Sequence, residues 1–211
     1  MRNGYLITIE GIEGAGKSTA IKHIKRILQK NNIESIFTRE PGGTDNAEKI
    51  RDLLLNNNLS GLDSTTELML MFASRKEHVK TLIIPKMEEG KVVVSDRFYD
   101  ATYAYQGGGR NIDITLIDKF RNLVLGDFEP NLTILLDVPI EISMARIAKR
   151  KELDRIENED ARFFSRVREQ YLKLARTNSR FVVIDGSQSL YKVKSDITNA
   201  ILQNIAIDTN S

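Results

Sequence analysis

The chain contains no cysteine, and that one absence excludes disulfides, thiolate metal sites and cysteine nucleophiles together. Histidine is scarce as well. With only His23 and His78 a zinc site has little support, and both read as surface or helix-packing residues. No apolar run approaches the roughly 20 residues that cross a bilayer. A strand pattern starts within five residues of Met1, which leaves no space for a signal peptide. A cytoplasmic protein without a membrane partner is therefore expected. An excess of charge is missing too: 31 basic residues against 29 acidic ones leave a net +2 and no case for a nucleic-acid partner.

What is present is concentrated in residues 5–19, Tyr-Leu-Ile-Thr-Ile-Glu-Gly-Ile-Glu-Gly-Ala-Gly-Lys-Ser-Thr, a short apolar strand running into a phosphate-binding loop. Gly11, Gly16, Lys17 and Ser18 fill the pattern G-x-x-x-x-G-K-[ST]. Chance gives such a match about once in 100 chains of this length. Glycines let the backbone curl so that successive N–H groups point at a polyphosphate. Lys17 is placed to neutralise the transferable phosphate and Ser18 to ligate Mg²⁺. The expected ATP-binding set is Gly11, Ile12, Glu13, Gly14, Ala15, Gly16, Lys17, Ser18 and Thr19. Two other P-loop classes lack support. Neither an Asn-Lys-x-Asp string nor an Asp-x-x-Gly string occurs, so a guanine-reading switch is disfavoured. A DNA-transaction ATPase is disfavoured by the lack of a basic stripe or extra domain.

At 211 residues, one α/β domain spanning 1–211 is the natural expectation. Five short apolar runs read as buried parallel strands: Tyr5–Glu10, Ile33–Thr38, Val92–Ser95, Leu132–Val138 and Phe181–Ile184. Helical patterns alternate with them, which predicts a doubly wound, five-stranded parallel sheet with helices on both faces. Ligands then sit beyond the carboxyl ends of the strands. Asp96, at the end of the third run, is suited to orient Mg²⁺, and Arg97 beside it to grip phosphate with paired hydrogen bonds. Three successive glycines, Gly107 to Gly109, predict a mobile or tightly bent segment. The charged stretch of roughly residues 146–160 could cover phosphates as a lid, and residues 207–211 read as a fraying tail.

Six blocks in order then resemble the bacterial thymidylate kinase family. They are Gly-Ile-Glu-Gly-Ala-Gly-Lys-Ser-Thr, Thr-Arg-Glu-Pro-Gly-Gly-Thr, Phe-Ala-Ser-Arg, Ser-Asp-Arg-Phe, Ala-Tyr-Gln-Gly-Gly-Gly-Arg and Glu-Leu-Asp-Arg-Ile-Glu. The resemblance runs from about residue 5 to residue 186. The resemblance implies a P-loop kinase fold, a homodimer, and transfer of a phosphoryl group from ATP to thymidine monophosphate (dTMP) with Mg²⁺. The nearest alternative is another P-loop nucleotide kinase that differs in its acceptor.

The same resemblance implies residue roles. Lys17 and the amides of residues 14–19 hold the ATP phosphates. Glu13 lies near the 3′-hydroxyl of the acceptor sugar. Arg39, beside Glu40 and Pro41, grips the acceptor phosphate together with Arg97. Arg75, on a helix of about Thr66–Lys80, reads a thymine carbonyl, Thr102 meets the base edge, Tyr105 lies beside the sugar and Gln106 completes the pocket. The family stacks thymine on a phenylalanine four residues before that arginine, whereas here Met71 holds the position and Phe72 is three back. Either Phe72 serves after a small rotation, or Met71 packs the base and Phe72 is core, with Met71 the better match. The P-loop interior carries no cation, which in the bacterial subgroup assigns the lid arginine to Arg155 first and Arg150 second. Helices at about 63–90 and 112–126 carry apolar residues (Leu68, Leu70, Met71, Leu82, Ile83) that serve either the core or a dimer interface.

Overall fold

Apolar alternation along the strands settles which helices cover which face. The computed structural model describes residues 4–56, 62–149 and 153–205. In β1 (Tyr5–Glu10), Leu6 joins one buried cluster while Ile7 and Ile9 join another; in β3 (Val92–Asp96), Val93 and the pair Val92 and Val94 divide the same way. Successive side chains of a strand point to opposite faces, so each strand feeds both layers. With β2 (Ser35–Arg39), β4 (Leu132–Asp137) and β5 (Phe181–Asp185) the sheet runs in the order β2-β3-β1-β4-β5, all parallel. One face is covered by α1 (Lys17–Lys30) and α9 (Leu190–Asn204), the other by α3 (Ser64–His78), α6 (Ile114–Leu125) and α8 (Ala161–Thr177), whose Tyr171 bonds Glu10 on the Leu6 side of β1. This is the α/β P-loop kinase architecture expected from the sequence. The shorter α2 (Asp45–Leu55), α4 (Ile84–Glu88), α5 (Tyr99–Thr102) and α7 (Ile140–Ile147) complete the layers. Among the described residues no helix is long and apolar enough to cross a membrane.

Two element boundaries differ from expectation for local reasons. Ile33 reads as strand but belongs to the exit from α1: Asn32 is left-handed (φ 53°), its N–H bonds the Gln29 carbonyl at 3.1 Å, and the Ile33 N–H bonds that of Leu28 at 2.9 Å. That paired closure ends a helix and buries the following apolar residue. The expected helix over 63–90 is broken into α3, a π-helical turn at Val79–Ile83, and α4. Pro85 has no N–H to bond the preceding turn, so the ladder cannot continue unchanged through it. Within this region Leu68, Met71 and Ile83 are core rather than surface, while Met69 and, on α6, Leu123 are exposed.

The glycine triplet is ordered. Tyr103–Gly109 forms a second π turn packed under α8, and the Arg166 Nη2 of α8 donates to the Gly109 carbonyl at 2.8 Å. A methyl group on Gly108 would approach the Arg166 carbonyl oxygen to 2.9 Å, and one on Gly109 would run into the Phe163 ring. The glycines are there for close approach between two helical segments. Gly109→Ala is therefore expected to destabilise the fold by about 1–3 kcal/mol, as overpacking does. Urea unfolding at equilibrium measures this, and an unchanged midpoint would show that Phe163 yields freely.

Candidate active site

The cleft lies along the carboxyl edge of the sheet, where the chain leaves β1, β2 and β3. β1 ends at Glu10, and Gly11, Gly14 and Gly16 then take positive φ values of 138°, 71° and 102°. The loop thus curls and opens into α1, whose first amides and the exposed Ser18 and Thr19 form the floor of a cradle. Lys17 lies back across the loop, its Nζ 3.3 Å from the carbonyl oxygens of Gly11 and Ile12. Burial lowers the Lys17 pKa first and the neighbouring Arg97 lowers it further, against the pull of Glu13, Asp96 and Glu10. A polyanion in the cradle reverses that penalty, because it supplies the counter-charge.

Glu13 points into the cleft from inside a loop built for phosphates. Its partners explain how a carboxylate is tolerated there. Oε1 accepts from Arg97 Nη2 at 2.5 Å and from the Tyr105 hydroxyl at 3.2 Å, and Oε2 lies 3.6 Å from Lys17 Nζ. Arg97 is in the left-handed region (φ 70°) and also donates to the Gly11 carbonyl at 2.9 Å and to the Tyr171 and Tyr105 hydroxyls at 3.1 and 2.9 Å. Burial opposes its charge, but Glu13 and the two tyrosines outweigh it, so the guanidinium stays protonated.

Beside this cluster lies a cavity of about 530 Å³, including its open mouth. Glu40, Pro41, Met71, Arg75, Thr102, Tyr105 and Gln106 line it, as do Arg97 and Glu13 at its inner end. Met71 faces the cavity. Phe72 does not: it is 1% exposed, stacks on Phe120 with ring centroids 5.6 Å apart, and backs the Arg75 guanidinium at 4.9 Å. Gln106 Nε2 donates to Glu67 Oε1 at 2.8 Å, which fixes its amide at the cavity wall.

The structure brings most of the sequence-derived residues together, with two departures. Arg155 does not lie at the phosphate cradle. Its Nη2 donates to Glu67 Oε2 at 2.5 Å and its Nε to the Leu54 carbonyl at 3.0 Å, so it clasps the segment after residue 153 to α2 and α3. The reason is electrostatic: Glu67 is 1% exposed and needs cations, which Arg155 and Arg110 supply. Arg39 lines the cradle but its Nη2 is 2.8 Å from Glu48 Oε2 and its side chain is half exposed. Arg150 lies outside the described residues, as does the tail at 207–211.

His78 is wholly buried against Glu40, so it is no surface residue, and His23 Nε2 ties α1 to α9 through the Lys194 carbonyl and the Thr198 hydroxyl, each at 3.0 Å. Asp96 ends β3 in register with Ile9 and Arg39, and its Oδ1 is buried without a hydrogen-bond partner among the described residues. It lines the cradle together with Ser18. An orphaned carboxylate oxygen beside a hydroxyl, both facing a phosphate site, is a hard-oxygen donor set that suits Mg²⁺.

Comparison with known proteins agrees with this geometry. The family model described as thymidylate kinase matches residues 9–197. A thymidylate kinase of Vesicomyosocius okutanii is 50% identical over 204 residues, which is 96% of this chain and 99% of that protein. One of Hahella chejuensis is 46% identical over 207 residues, 98% and 100% respectively. One of Pseudomonas putida is 45% identical over 204 residues, 96% and 97%. The chain belongs to the thymidylate kinase family.

Four features of this family member escape a reading of its motifs. Arg51 lines both the cavity and the cradle and donates to the Pro41 carbonyl at 2.8 Å. Its sequence signal is a charge on the stripe of α2 that holds the buried Ala47 and Leu54. Asp154 also lines both spaces. Arg146 donates to the Gly14 carbonyl at 2.9 Å and borders a groove formed with Gly186, Gln188 and α9 on the far side of the loop from the cavity. Glu10 accepts from the Phe98 amide and from the Tyr171 hydroxyl, both at 2.7 Å, and so supports Arg97 from beneath.

Burial first, and the negative Asp100 second, push Glu10 from 4.5 up to about 8, against the pull of Arg97, Tyr171 and the Phe98 amide. Near pH 4 both folded and unfolded chains hold this proton. As pH rises toward about 8 the unfolded chain has lost it and the folded chain must shed it at a cost, so stability falls across that window. Thermal unfolding followed from pH 5 to 9 is expected to show a declining midpoint that flattens in Glu10→Gln; equal slopes in both proteins would remove Glu10 as the cause.

Proposed function

We propose that the chain transfers the γ-phosphoryl group of ATP to dTMP, giving ADP and thymidine diphosphate. One observation carries this reading: a cavity furnished with Arg75, Thr102 and Gln106 opens directly onto the P-loop cradle, with Glu13, Glu40, Arg51, Arg97 and Asp154 lining both. The base and sugar of the acceptor occupy the cavity. Its phosphate then lies among Arg97, Arg51 and Arg39, facing the end of the polyphosphate held by Lys17 and the amides of residues 14–19. The ATP base and sugar take the groove bounded by Arg146, Gly186 and α9.

An oxygen of the acceptor phosphate bonds to the γ-phosphorus as the bond to the β–γ bridging oxygen breaks, and the leaving charge stays on ADP. No general base is needed, because the attacking oxygen is already ionised. Position and fixed positive charge supply the rate enhancement. Ser18 and Asp96 would hold Mg²⁺, which would supply further charge neutralisation at the phosphates. Tyr105 closes the sugar end of the cavity beside Glu13, where a 2′-hydroxyl is disfavoured. Met71 packs the base and Glu40 and Pro41 form the wall behind it.

The stretch of roughly residues 146–160 serves as the lid. In it Arg155 acts as the clasp that shuts the acceptor cavity, and the task of a cation over the phosphates passes to Arg150. The reading carries with it a cytoplasmic location and a homodimer, which light scattering tests as a particle of twice the 23.9 kDa chain mass.

An assay of ADP release against a panel of nucleoside monophosphates tests the acceptor: dTMP is expected to be used best, and preference for uridine or cytidine monophosphate overturns it. Lys17→Met is expected to lower kcat about 100- to 1,000-fold. For Arg155→Ala the clasp predicts a raised KM for dTMP with a smaller change in kcat. A collapse of kcat at unchanged KM would instead return Arg155 to the phosphates.

A further inference from the structure

Arg75 is held at three points. Nε donates to Glu40 Oε2 at 2.7 Å, Nη1 to the Thr102 hydroxyl at 3.1 Å and Nη2 to the Phe98 carbonyl at 3.2 Å. A guanidinium has five N–H groups, so one remains on each terminal nitrogen. Glu40 is only 4% exposed and uses its two oxygens on two partners: Oε2 on Arg75, and Oε1 on His78 Nδ1 at 3.0 Å. Burial raises the Glu40 pKa, but Arg75 and His78 outweigh burial and hold it below the usual carboxylate range. An ionised carboxylate can only accept, so Nδ1 of His78 carries the proton. Nε2 of the same ring lies 2.7 Å from the Thr38 hydroxyl of β2. The missing side chain of Gly43 leaves room for this pair, since a methyl group there would meet the His78 ring at 2.5 Å from Nε2.

We propose that His78, acting through Glu40, positions the Arg75 guanidinium that recognises the acceptor base, and so sets the preference for a ring carbonyl over a ring amine at the base edge. This deepens the reading of the acceptor site and rests on Arg75 donating to a thymine carbonyl. The physical argument concerns the second oxygen of Glu40. Without a donor at Nδ1, a buried carboxylate oxygen loses its partner, and the nearest remaining donors are those of Arg75. Carboxylates pair with guanidinium groups through two parallel hydrogen bonds when free to turn. Glu40 then draws a terminal nitrogen away from Thr102 and takes up an N–H that otherwise faces the cavity. His78 keeps Glu40 on one nitrogen alone. It does not touch the substrate; it is a positioning residue.

Two substitutions of similar polarity separate this role from simple packing. In His78→Asn the amide nitrogen takes the place of Nδ1 and keeps the link to Glu40. In His78→Gln it reaches the place of Nε2, keeping Thr38 and losing Glu40. The experiment measures kcat and KM for dTMP and for deoxycytidine monophosphate, which carries an amine where thymine has the carbonyl, with thermal unfolding midpoints alongside.

His78→Asn is expected to hold the wild-type preference within about threefold. His78→Gln is expected to cut it about tenfold or more, mainly through a higher KM for dTMP, as loss of one aligned hydrogen bond does. Preference unchanged in His78→Gln, or lost equally in both variants, overturns the proposal. Arg75→Lys keeps the charge and removes the two-pronged geometry. If it loses the preference while His78→Gln keeps it, only the His78 link fails; if it keeps the preference, the reading of Arg75 fails and the proposal with it.

Discussion

The catalytic edge of this protein depends on one guanidinium. Arg97 fastens the P-loop through Glu13 and the Gly11 carbonyl, the second π turn through Tyr105, and α8 through Tyr171. Its own backbone is in a region that costs a residue with a side chain about 1–2 kcal/mol. The surroundings fix it there: its N–H bonds the Ile9 carbonyl at 3.0 Å, and its carbonyl accepts from the Ser95 hydroxyl at 2.7 Å. Local strain at a functional position persists when several neighbours over-determine it.

Around this tie the charges balance before any nucleotide enters. Lys17, Arg97, Arg51 and Arg39 each have a carboxylate or carbonyl partner, and Glu13 is shared between two of the cations. Isolated buried charges are costly, and pairing makes the free enzyme stable while its cations wait. The partners are exchangeable for phosphate oxygens, so the positive groups are preorganised rather than assembled on binding. Glu67 plays the matching part behind the cavity wall, where one buried carboxylate gathers Gln106, Arg110 and Arg155.

Short-range spacing made the P-loop, the five strands and the Asp96-Arg97 pair legible in the sequence. Each is a contiguous pattern whose function follows from local backbone geometry. The residues that line the cavity were legible through family blocks, and position four before Arg75 drew attention to Met71. What stayed hidden depends on partners distant in the chain. Nothing near Arg155 announces that Glu67, 88 residues away, will bind it. Nothing near His78 announces Glu40, and the glycine triplet looks like a flexible loop until Phe163 and Arg166 are seen pressed against it. Arg51 and Tyr171 carry a fainter sign, a polar group on an otherwise buried helical stripe, which periodicity alone treats as noise.

The cavity and the Arg146 groove share no lining residue, yet each borders the cradle from its own side. Two molecules therefore have separate doors into one room. On the placement proposed above neither nucleotide shares the other's entrance, and the transferred group passes straight across without being parked on the protein.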